Sequence, residues 1–381
     1  MPAKTRAKVP NLSTLKCVDL FAGAGGFSLA AKRVGFLIKL AVENNEHACS
    51  TYQFNFRGKN APVLQNSDIT ELSASQVLKE SFGADDFCDL MLGGPPCQGF
   101  STHRINGAGV KDPRNHLIYT YFKFVRAFKP SVFLMENVPG MLWPRHSTFL
   151  ERFYKSGKGA GYFLFDPIVV DARDYGVPQR RKRVFILGVR KDVEVSGLKW
   201  PPAPTHGNES AQKANKKLKP WVACAKVFKD LPEEDENNIS MNHAAELIEA
   251  FKRTPANGGS RSESGRVLDC HKYHDGHKDV YGRIDPSEPG PTMTTACINP
   301  SKGRFVHPRK NHGITVRQAA RLQTFPDSYL FKGGLMAAGE QIGNAVPVLL
   351  GEKLIRALKP IAQSARRKRS NLRKKAKRKL G

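Results

Sequence analysis

The sequence predicts an α/β protein: a Rossmann-like, doubly wound sheet with a smaller, irregular domain inserted before its last segment. Short apolar runs alternate with helical segments over the first half of the chain, and a glycine-rich turn follows the first run. From about residue 200 this alternation is lost, and Gly, Pro, Lys and His dominate. We therefore expect a first domain over 12–192 plus 334–360, a second over 193–333, and a disordered basic tail over 361–381.

Length and composition describe an ordinary globular chain. Its 381 residues are enough for one large and one smaller domain, and no apolar run approaches the roughly 18–20 residues of a membrane span. The basic N-terminus has no apolar segment behind it, so it is not a signal peptide. Seven scattered cysteines indicate free thiols in a reducing compartment. We expect a cytoplasmic protein.

The charge indicates the kind of partner. The chain carries 61 Lys and Arg against 34 Asp and Glu, a net charge of +27. Ten of these basic residues lie in Ser364–Gly381, which holds no acid and by itself is typical of a solvated end. The remaining body still carries +17, which favours a polyanion. Nucleic acid is the first expectation, which would associate the protein with the nucleoid, and an anionic membrane surface is a distant second.

The first unit reads as strand, turn and helix. A strand over Leu15–Phe21 leads into the glycine turn Ala22–Ser28 and an alanine-rich helix over Leu29–Val34. Glycines at such a turn let the backbone approach a ligand closely. The spacing, Phe-x-Gly-x-Gly-Gly, departs from the dinucleotide fingerprint, and glycine also serves packing in such turns. This turn alone is weak evidence for a nucleotide site.

Two acids follow the next strands. The strand Phe36–Val42 ends in Glu43, where an acid can accept both hydroxyls of a ribose. A third apolar piece, Ala61–Leu64, leads to Asp68 and Ile69, where an acid can meet an adenine amino group. Each acid by itself is equally typical of a protein surface. Three strand-end features in this order favour a cofactor that contains a nucleoside.

The fourth strand leads to a cysteine. The apolar run 87–92 is stopped by Gly93, Gly94, Pro95 and Pro96, and Cys97 stands at the carboxyl end, where open α/β sheets carry out their chemistry. A thiol there is either a nucleophile or an inert, small apolar residue. The polar stretch 102–114 is suited to a mobile loop that closes over a substrate, and a helix follows over 116–128.

The fifth strand, Ser131–Met135, delivers Glu136 to the edge of the sheet that holds Cys97. A carboxylate beside a thiol serves acid–base chemistry, and the alternatives are a salt bridge or a helix cap. Further strands are predicted over 163–170 and 184–189. Arg181 and Arg183 alternate into the second of these, where they are suited to hold a phosphate or a carboxylate, unless the turn is simply a solvated basic one.

The last third contains one misleading cluster. Cys270, His271, His274 and His277 look superficially like a metal site, but no second cluster stands at finger-like spacing, so no metal is expected. The block Gln341–Pro347 precedes an apolar helix over 348–358, which we expect to complete the first domain.

Taken together, six blocks in one order resemble the DNA (cytosine-5) methyltransferases, in their bacterial form, from about residue 16 to 358. The blocks are Asp-Leu-Phe-Ala-Gly-Ala-Gly-Gly-Phe-Ser at 19–28, Pro-Pro-Cys-Gln-Gly-Phe-Ser at 95–101, Glu-Asn-Val at 136–138, Gln-x-Arg-x-Arg at 179–183, Arg-Leu-Gln-Thr-Phe-Pro-Asp at 321–327 and Gln-Ile-Gly-Asn-Ala-Val-Pro at 341–347. Any one block is weak evidence, whereas six in this order are highly specific.

The resemblance implies a sheet that binds S-adenosylmethionine and an inserted target-recognition domain. By position, the cofactor residues would be Phe21, Gly23, Gly25, Gly26, Glu43, Asp68, Ile69, Pro95, Asn344 and Val346. Two departures stand out. Asn44 occupies the place where some members stack an aromatic ring on adenine, and Arg317-Gln318 stands where members often have Arg-Glu, which puts one structural ion pair in doubt.

The resemblance also implies the chemistry. Carbon 5 of cytosine is a poor nucleophile, so the Cys97 thiolate would add to C6 of a flipped-out base, with Glu136 hydrogen-bonded to N3 and Arg181 and Arg183 orienting the base. The partner would be double-stranded DNA, bound by a monomer that acts without direct contact with any companion restriction endonuclease. Candidate DNA contacts are Gln98, Ser101, Arg114, Gln179, Gly258, Gly259 and Arg261.

Three rival functions make different predictions. Relatives that methylate transfer RNA carry a Cys-Phe-Thr signature, which this chain lacks. A catalytically silent DNA-binding protein would have lost Cys97 or Glu136, and both are present. A nucleotide-dependent oxidoreductase would explain the glycine turn but neither the Cys97 block nor the basic body.

Overall fold

The computed structural model describes residues 14–83, 86–96, 116–265 and 279–379. Its centre is an eight-stranded sheet in the order β3-β2-β1-β4-β5-β8-β6, with β7 also paired to β8. These strands are β1 (Leu15–Leu20), β2 (Phe36–Glu43), β3 (Val63–Asn66), β4 (Leu90–Gly93), β5 (Val132–Asn137), β6 (Tyr162–Leu164), β7 (Ile168–Asp171) and β8 (Lys182–Arg190). Two short strands, β9 (His206–Gly207) and β10 (Lys219–Pro220), form a separate pair.

Helices connect and cover the strands. They are α1 (Gly26–Val34), α2 (Glu46–Asn55), α3 (Ala74–Ser81), α4 (His116–Phe128), α5 (Ser147–Gly159), α6 (Glu209–Ala214), α7 (Ala245–Arg253), α8 (Val316–Leu322), α9 (Gly334–Asn344) and α10 (Val348–Lys379). Within the described ranges, no helix is long and apolar enough to cross a membrane.

The direction of winding reverses between β1 and β4. Strands β1 to β5 are mutually parallel, with β2 and β3 on one side of β1 and β4 and β5 on the other. Strand β8 is antiparallel to β5, β6 and β7. In doubly wound sheets ligands bind at the carboxyl ends of the strands where this reversal occurs. The predicted fold class is confirmed, and the topology locates the site beyond β1 and β4.

Strand alternation sorts the core into two apolar clusters, one on each face of the sheet. In β4, Leu90 and Leu92 belong to one cluster and Met91 to the other, and β5 divides in the same way. The first cluster also contains side chains of the 193–333 segment, among them Met293, Ile298, Phe305, Ile314, Val316, Leu322, Phe325 and Tyr329. The apolar core is therefore continuous across the boundary expected at 333.

The single strand expected over 163–170 is two strands. Three residues separate Leu164 from Ile168, while their partners on β8, Gly188 and Phe185, are separated by two. The extra residue interrupts the pairing, and Pro167 in this segment has no amide hydrogen to donate to the ladder.

The expectation of a disordered tail from residue 361 is wrong as far as Lys379, because α10 continues without a break from Val348 to that residue. Ile361, Ala362 and Ala365 are buried in the first cluster. Arg366 donates to the carboxylate of the buried Asp89 at 2.5 Å. Apolar contacts and this ion pair order the segment, which composition alone would leave solvated.

Candidate active site

A cleft of about 510 Å³ opens at the carboxyl ends of the parallel strands. Its lining comes from the glycine turn after β1, the ends of β2, β4 and β5, and the segment that joins α9 to α10. Nine of the ten predicted cofactor residues line it: Phe21, Gly23, Gly26, Glu43, Asp68, Ile69, Pro95, Asn344 and Val346. The volume lies in the range of small-molecule sites.

The glycines of the first turn have different roles. Gly23 has φ +54°, and a β-carbon there would meet no atom within 4 Å, so its surroundings are open. Gly25 has φ +88°, and a β-carbon there would lie 2.7 Å from the Phe56 ring and 2.9 Å from the Tyr329 hydroxyl. Gly25, the tenth predicted cofactor residue, does not line the cleft. It allows α1 to pack against these rings.

The carboxylate of Glu43 is fixed by three backbone N–H groups. Its Oε2 accepts from Gly23 N at 2.8 Å, and its Oε1 accepts from Asn44 N at 3.0 Å and Asn45 N at 2.9 Å. The acid is thereby tied to the glycine turn across the mouth of the cleft. Asp68 is held in a similar way, because its Oδ1 accepts from the backbone and the hydroxyl of Thr70.

Asp19, which was not among the predicted site residues, also lines the cleft. Its Oδ2 accepts from the Ser28 hydroxyl at 2.6 Å, and Ser28 Oγ accepts from the Tyr52 hydroxyl at 2.8 Å. Burial raises the pKa of Asp19 to about 7, against the lowering effect of the Ser28 hydrogen bonds. The signal available in the sequence was an acid inside an otherwise apolar strand.

Glu136 and Arg183 form an ion pair in the cleft, with 2.9 Å between Arg183 Nε and Glu136 Oε1. Burial raises the pKa of Glu136 above its ordinary value, and the guanidinium groups of Arg183 and Arg181 oppose the rise. A β-carbon on Gly94 would lie 3.2 Å from Glu136 Oε2, so this oxygen faces the end of β4. The neighbouring Asn137 donates to Pro95 O at 3.3 Å.

Four predicted site residues fall in the stretch 97–115, outside the described residues: Cys97, Gln98, Ser101 and Arg114. The histidine cluster, with Cys270, His271, His274 and His277, lies outside them as well. Among the residues that are described, no group of acids, histidines and cysteines is arranged to hold a metal ion. Pro95 and Pro96, the two residues before Cys97, line the cleft beside Glu136.

Arg181 is buried, with 1% of its surface exposed, and faces the interior of the protein. Its Nη1 donates to Met293 O at 2.8 Å, and its Nη2 donates to Gly343 O at 2.7 Å and Ala345 O at 2.9 Å. It joins the 193–333 segment to the segment that carries Asn344 and Val346. This geometry supports a positioning role, and Arg183 is the arginine that pairs with Glu136.

The prediction that Gln179 contacts DNA does not fit its position, because its side chain is fully buried. Its Nε2 donates to Leu322 O at 3.0 Å and to Gln323 Oε1 at 2.9 Å, and its Oε1 accepts from Met293 N at 2.9 Å. Gln323 in turn donates to Ala345 O at 3.1 Å. We call Gln179, Arg181 and Gln323 the buried hub. It was missed because nothing in the sequence indicates which way the Gln-x-Arg-x-Arg block faces.

The three candidate DNA contacts of the 193–333 segment lie together at one bend. Gly258 has φ +104°, Gly259 is buried, and the half-buried Arg261 begins a short helix capped by Ser260 and Glu263. Arg304 Nη1 donates to the carbonyls of Gly258 at 2.7 Å and Gly259 at 3.2 Å. The backbone of this bend is thus held by an arginine that sequence analysis did not single out.

The doubtful ion pair at Arg317-Gln318 has an explanation in the structure. Gln318 completes a capping box with Thr315 at the start of α8. Arg317 forms a buried ion pair with Asp235, with Nη2 and Oδ1 3.0 Å apart. Gln318 therefore has a partner in the cap of its own helix, and Arg317 has one in an acid that is distant in sequence.

Comparison with known sequences gives consistent matches over most of the chain. A sequence model of the C-5 cytosine-specific DNA methylases matches residues 15–360. Type II methyltransferase M1.HphI of Haemophilus parahaemolyticus is 32% identical over 351 residues, covering 91% of this chain and 87% of the relative. Type II methyltransferase M1.BsuMI of Bacillus subtilis (strain 168) is 33% identical over 353 residues, covering 88% and 78%.

Solved structures agree on the fold. A prophage-encoded protein of E. coli, described as a DNA modification methyltransferase, superposes with a TM-score of 0.67 and 26% identity, covering 91% of this chain and 99% of that one. A variant of Spodoptera frugiperda DNMT2 superposes with a TM-score of 0.60 at 18% identity, covering 91% and 99%. The second likeness concerns the fold alone.

Proposed function

We propose a mechanism for this chain that starts from its family. The chain belongs to the C-5 cytosine-specific DNA methylases and is a DNA (cytosine-5-)-methyltransferase. The proposal assigns the methyl donor to the cleft and the target cytosine to the space beside Glu136. It names Cys97 as the nucleophile and the 193–333 segment as the reader of the flanking bases. The protein acts on double-stranded DNA as a monomer, whether or not the host holds a companion nuclease.

The methyl donor in this proposal is S-adenosylmethionine, which supplies an electrophilic methyl group on a sulfonium centre. The residues present fit a nucleoside of this kind. Glu43 is held by three N–H groups at the end of β2, where its carboxylate can accept ribose hydroxyls, and Asp68 stands ready for the adenine amino group. The open space at Gly23 leaves room for ligand atoms next to the backbone. Asn44 lines the cleft without an aromatic ring to stack on adenine.

The Cys97 thiolate adds to C6 of the cytosine, and the ring electrons then make C5 a nucleophile for the methyl group. Loss of the C5 proton returns the electron pair to the ring and expels the thiolate. Glu136 assists by hydrogen bonding to N3, where negative charge develops during the attack. Burial raises the pKa of Glu136, which helps the carboxyl group to carry the proton that this bond needs, while the guanidinium groups of Arg183 and Arg181 act in the opposite direction.

Arg183 has a defined position in the same step. It lies within hydrogen-bond distance of Glu136 Oε1, which fixes the carboxyl group toward the end of β4. A target base cannot reach this pair from within a duplex, so the cytosine is flipped out of its stack. Arg183 is then in place to orient the extruded base or the phosphate next to it.

The Glu136–Arg183 pair beside Gly94–Pro96 is the single observation that carries this proposal. The test is bisulfite sequencing of DNA from cells that express the wild type, Cys97→Ser or Glu136→Gln. We expect the wild type to protect cytosines in one short motif and both variants to protect none above background. Protection that persists in Cys97→Ser would exclude the covalent mechanism. Unmodified DNA in wild-type cells would direct the search to RNA and then to a silent binding protein.

A further inference from the structure

The far half of α10 forms a basic surface at the amino ends of the parallel strands, and the cleft lies at their carboxyl ends. The helix begins at Val348, two residues after Val346 in the cleft, and Arg366 lies 18 residues further along, about 27 Å at 1.5 Å per residue. There Arg366 pairs with Asp89, which directly precedes β4, whereas the cleft begins at Gly94, directly after it. The two ends of β4 therefore separate this surface from the cleft by about 16 Å.

Neighbouring contacts agree on this position. Arg369 and Arg373 lie over the ring of Phe87, with guanidinium carbons 4.5 Å and 4.9 Å from its centroid. Lys368 donates to Asp192 O at 3.3 Å, just beyond the end of the antiparallel strand β8. All of these partners lie at the amino ends of the parallel strands. The far half of α10 is thus built into the fold at a fixed place.

Its outward side is strongly basic, although the exposed Asn371 and Leu372 lie between the charged residues. Arg367, Lys368 and Lys375 are exposed, and residues 364–381 contain ten basic residues and no acidic one. Like charges one turn apart weaken a helix, and here no acid within the segment offsets them. The favourable position of cations near a helix C-terminus offsets part of that cost. A charge pattern of this kind matches a polyanion with regularly spaced phosphates. It also lies beyond residue 360, where the match to the family ends.

We propose that this surface, defined as the exposed face of α10 from Arg367 to Lys375, binds a second segment of double-stranded DNA while the cleft holds the first. Charge complementarity selects a nucleic acid, and the reaction of this family already brings duplex DNA to the protein. The enzyme then bridges two duplex segments, independently of sequence. The bridging does not depend on the mechanism proposed for the cleft.

The test is a capture assay with purified full-length protein. A biotinylated duplex made only of A·T pairs contains no cytosine to methylate, and a fluorescent duplex of mixed sequence serves as the first segment. We expect wild-type protein to retain fluorescence on the beads at equimolar DNA. The triple variant R367E/K368E/K375E should lose about nine-tenths of this signal. The slope of the logarithm of its binding constant for the A·T duplex against the logarithm of the salt concentration should be smaller than that of the wild type by about 3.

A matched control carries the same change in charge elsewhere. The variant K59E/K79E/K155E alters three exposed lysines on other elements and should bridge like the wild type. The neutral variant R367Q/K368Q/K375Q keeps helix-forming side chains and should also lose bridging, which separates charge from helix disruption. Both tail variants should methylate a short duplex at the wild-type rate, because the surface lies away from the cleft.

Three results would overturn the proposal. The first is that the tail variants bridge as well as the wild type. The second is that light scattering finds a dimer whenever bridging occurs. The third is that single-stranded RNA or anionic vesicles displace the A·T duplex more effectively than unlabelled A·T duplex does. Glu136→Gln distinguishes this proposal from the catalytic one, because it should lower kcat about 10²–10⁴-fold and leave the charge-dependent binding of the A·T duplex to α10 unchanged.

Discussion

Two arginines at the entry to β8 lie two residues apart and face different surroundings. Arg183 points to the cleft, where its Nε lies 2.9 Å from Glu136 Oε1. Arg181 points into the protein, where it donates to carbonyls of Met293, Gly343 and Ala345. In a regular strand, side chains two residues apart point to the same face of the sheet. Arg181 lies just before β8 begins at Lys182, so this rule does not apply to it, and it can point away from Arg183.

This difference separates chemistry from architecture within one sequence block. Glu136 is buried and Arg183 is half-buried, and both line the cleft. The buried hub joins three distant parts of the chain, and it supports the cleft through Ala345, which lines it. Substitutions in the pair should therefore change the rate with little loss of stability, and substitutions in the hub should change stability first.

The largest effect is expected for Glu136→Gln. The amide keeps the shape of the side chain and removes the acid, so kcat should fall about 10²–10⁴-fold, the range for general acid–base groups. The melting temperature should change little, because a buried carboxyl with a raised pKa is replaced by a neutral group. Methyl incorporation from radiolabelled donor gives kcat. The exposed Glu151 provides the control Glu151→Gln, and equal loss in both variants would contradict a catalytic role.

The next effect is expected for Arg181→Met, which keeps the length of the side chain and removes the arginine donor from the buried carbonyls of Met293 and Gly343, while Ala345 O keeps its bond from Gln323. A buried acceptor left unsatisfied costs about 1–3 kcal/mol in free energy of unfolding, measured by urea denaturation. The affinity for the methyl donor should fall as well, because Ala345, which lines the cleft, loses one of its two donors. Arg180→Met, at the exposed neighbour, should stay within about 0.5 kcal/mol. If Arg181→Met kept wild-type stability and lost only kcat, the residue would be catalytic after all.

The third comparison uses two glycines of one turn. Gly25→Ala places a β-carbon 2.7 Å from Phe56 at φ +88° and should cost about 2 kcal/mol or more in free energy of unfolding. Gly23→Ala also has a positive φ, +54°, but no neighbour within 4 Å, so it should cost about 1 kcal/mol. Its β-carbon occupies cleft space, and calorimetry should show the larger loss of donor affinity in this variant. The opposite ranking in binding would place Gly25 at the ligand.

Strand-end residues were predictable because their position follows from short-range pattern. Glu43 and Glu136 stand directly after predicted strands, and Asp68 stands four residues after the end of another. Parallel strands bring such residues to one edge. The hub was not predictable, since Arg181 meets carbonyls 112 to 164 residues away in sequence.

The same limit applies to the other differences between expectation and structure. The far half of α10 read as a solvated tail because its composition hides the apolar contacts of Ile361 and Ala365 and the partner Asp89. Arg283, which organises the 193–333 segment, donates to carbonyls of Phe251, Thr254, His307 and Lys310 scattered along it. Long-range acceptors of this kind leave no periodic signal.

The last effect is a pH dependence and concerns Asp19, a buried acid that lines the cleft and whose hydrogen bonds also hold α1. Its pKa is raised from 3.8 to about 7 by burial, so the folded protein binds this proton more tightly than the unfolded chain does. Stability contributed by the protonated form is therefore present below pH 4 and is lost as the pH rises toward 7. Asp19→Asn cannot titrate and should lose less stability across this window.

Urea denaturation of the wild type and Asp19→Asn at intervals from pH 4 to pH 8 measures this difference. The wild-type free energy of unfolding should fall relative to the variant between pH 4 and 7 and run parallel to it above 7. Ser28→Ala provides the matched change, because it removes the hydroxyl that stabilises the ionised form and should extend the same fall to higher pH. Parallel curves across the whole range would mean that Asp19 is ionised in the folded protein at pH 5, and that the Ser28 hydrogen bond outweighs burial.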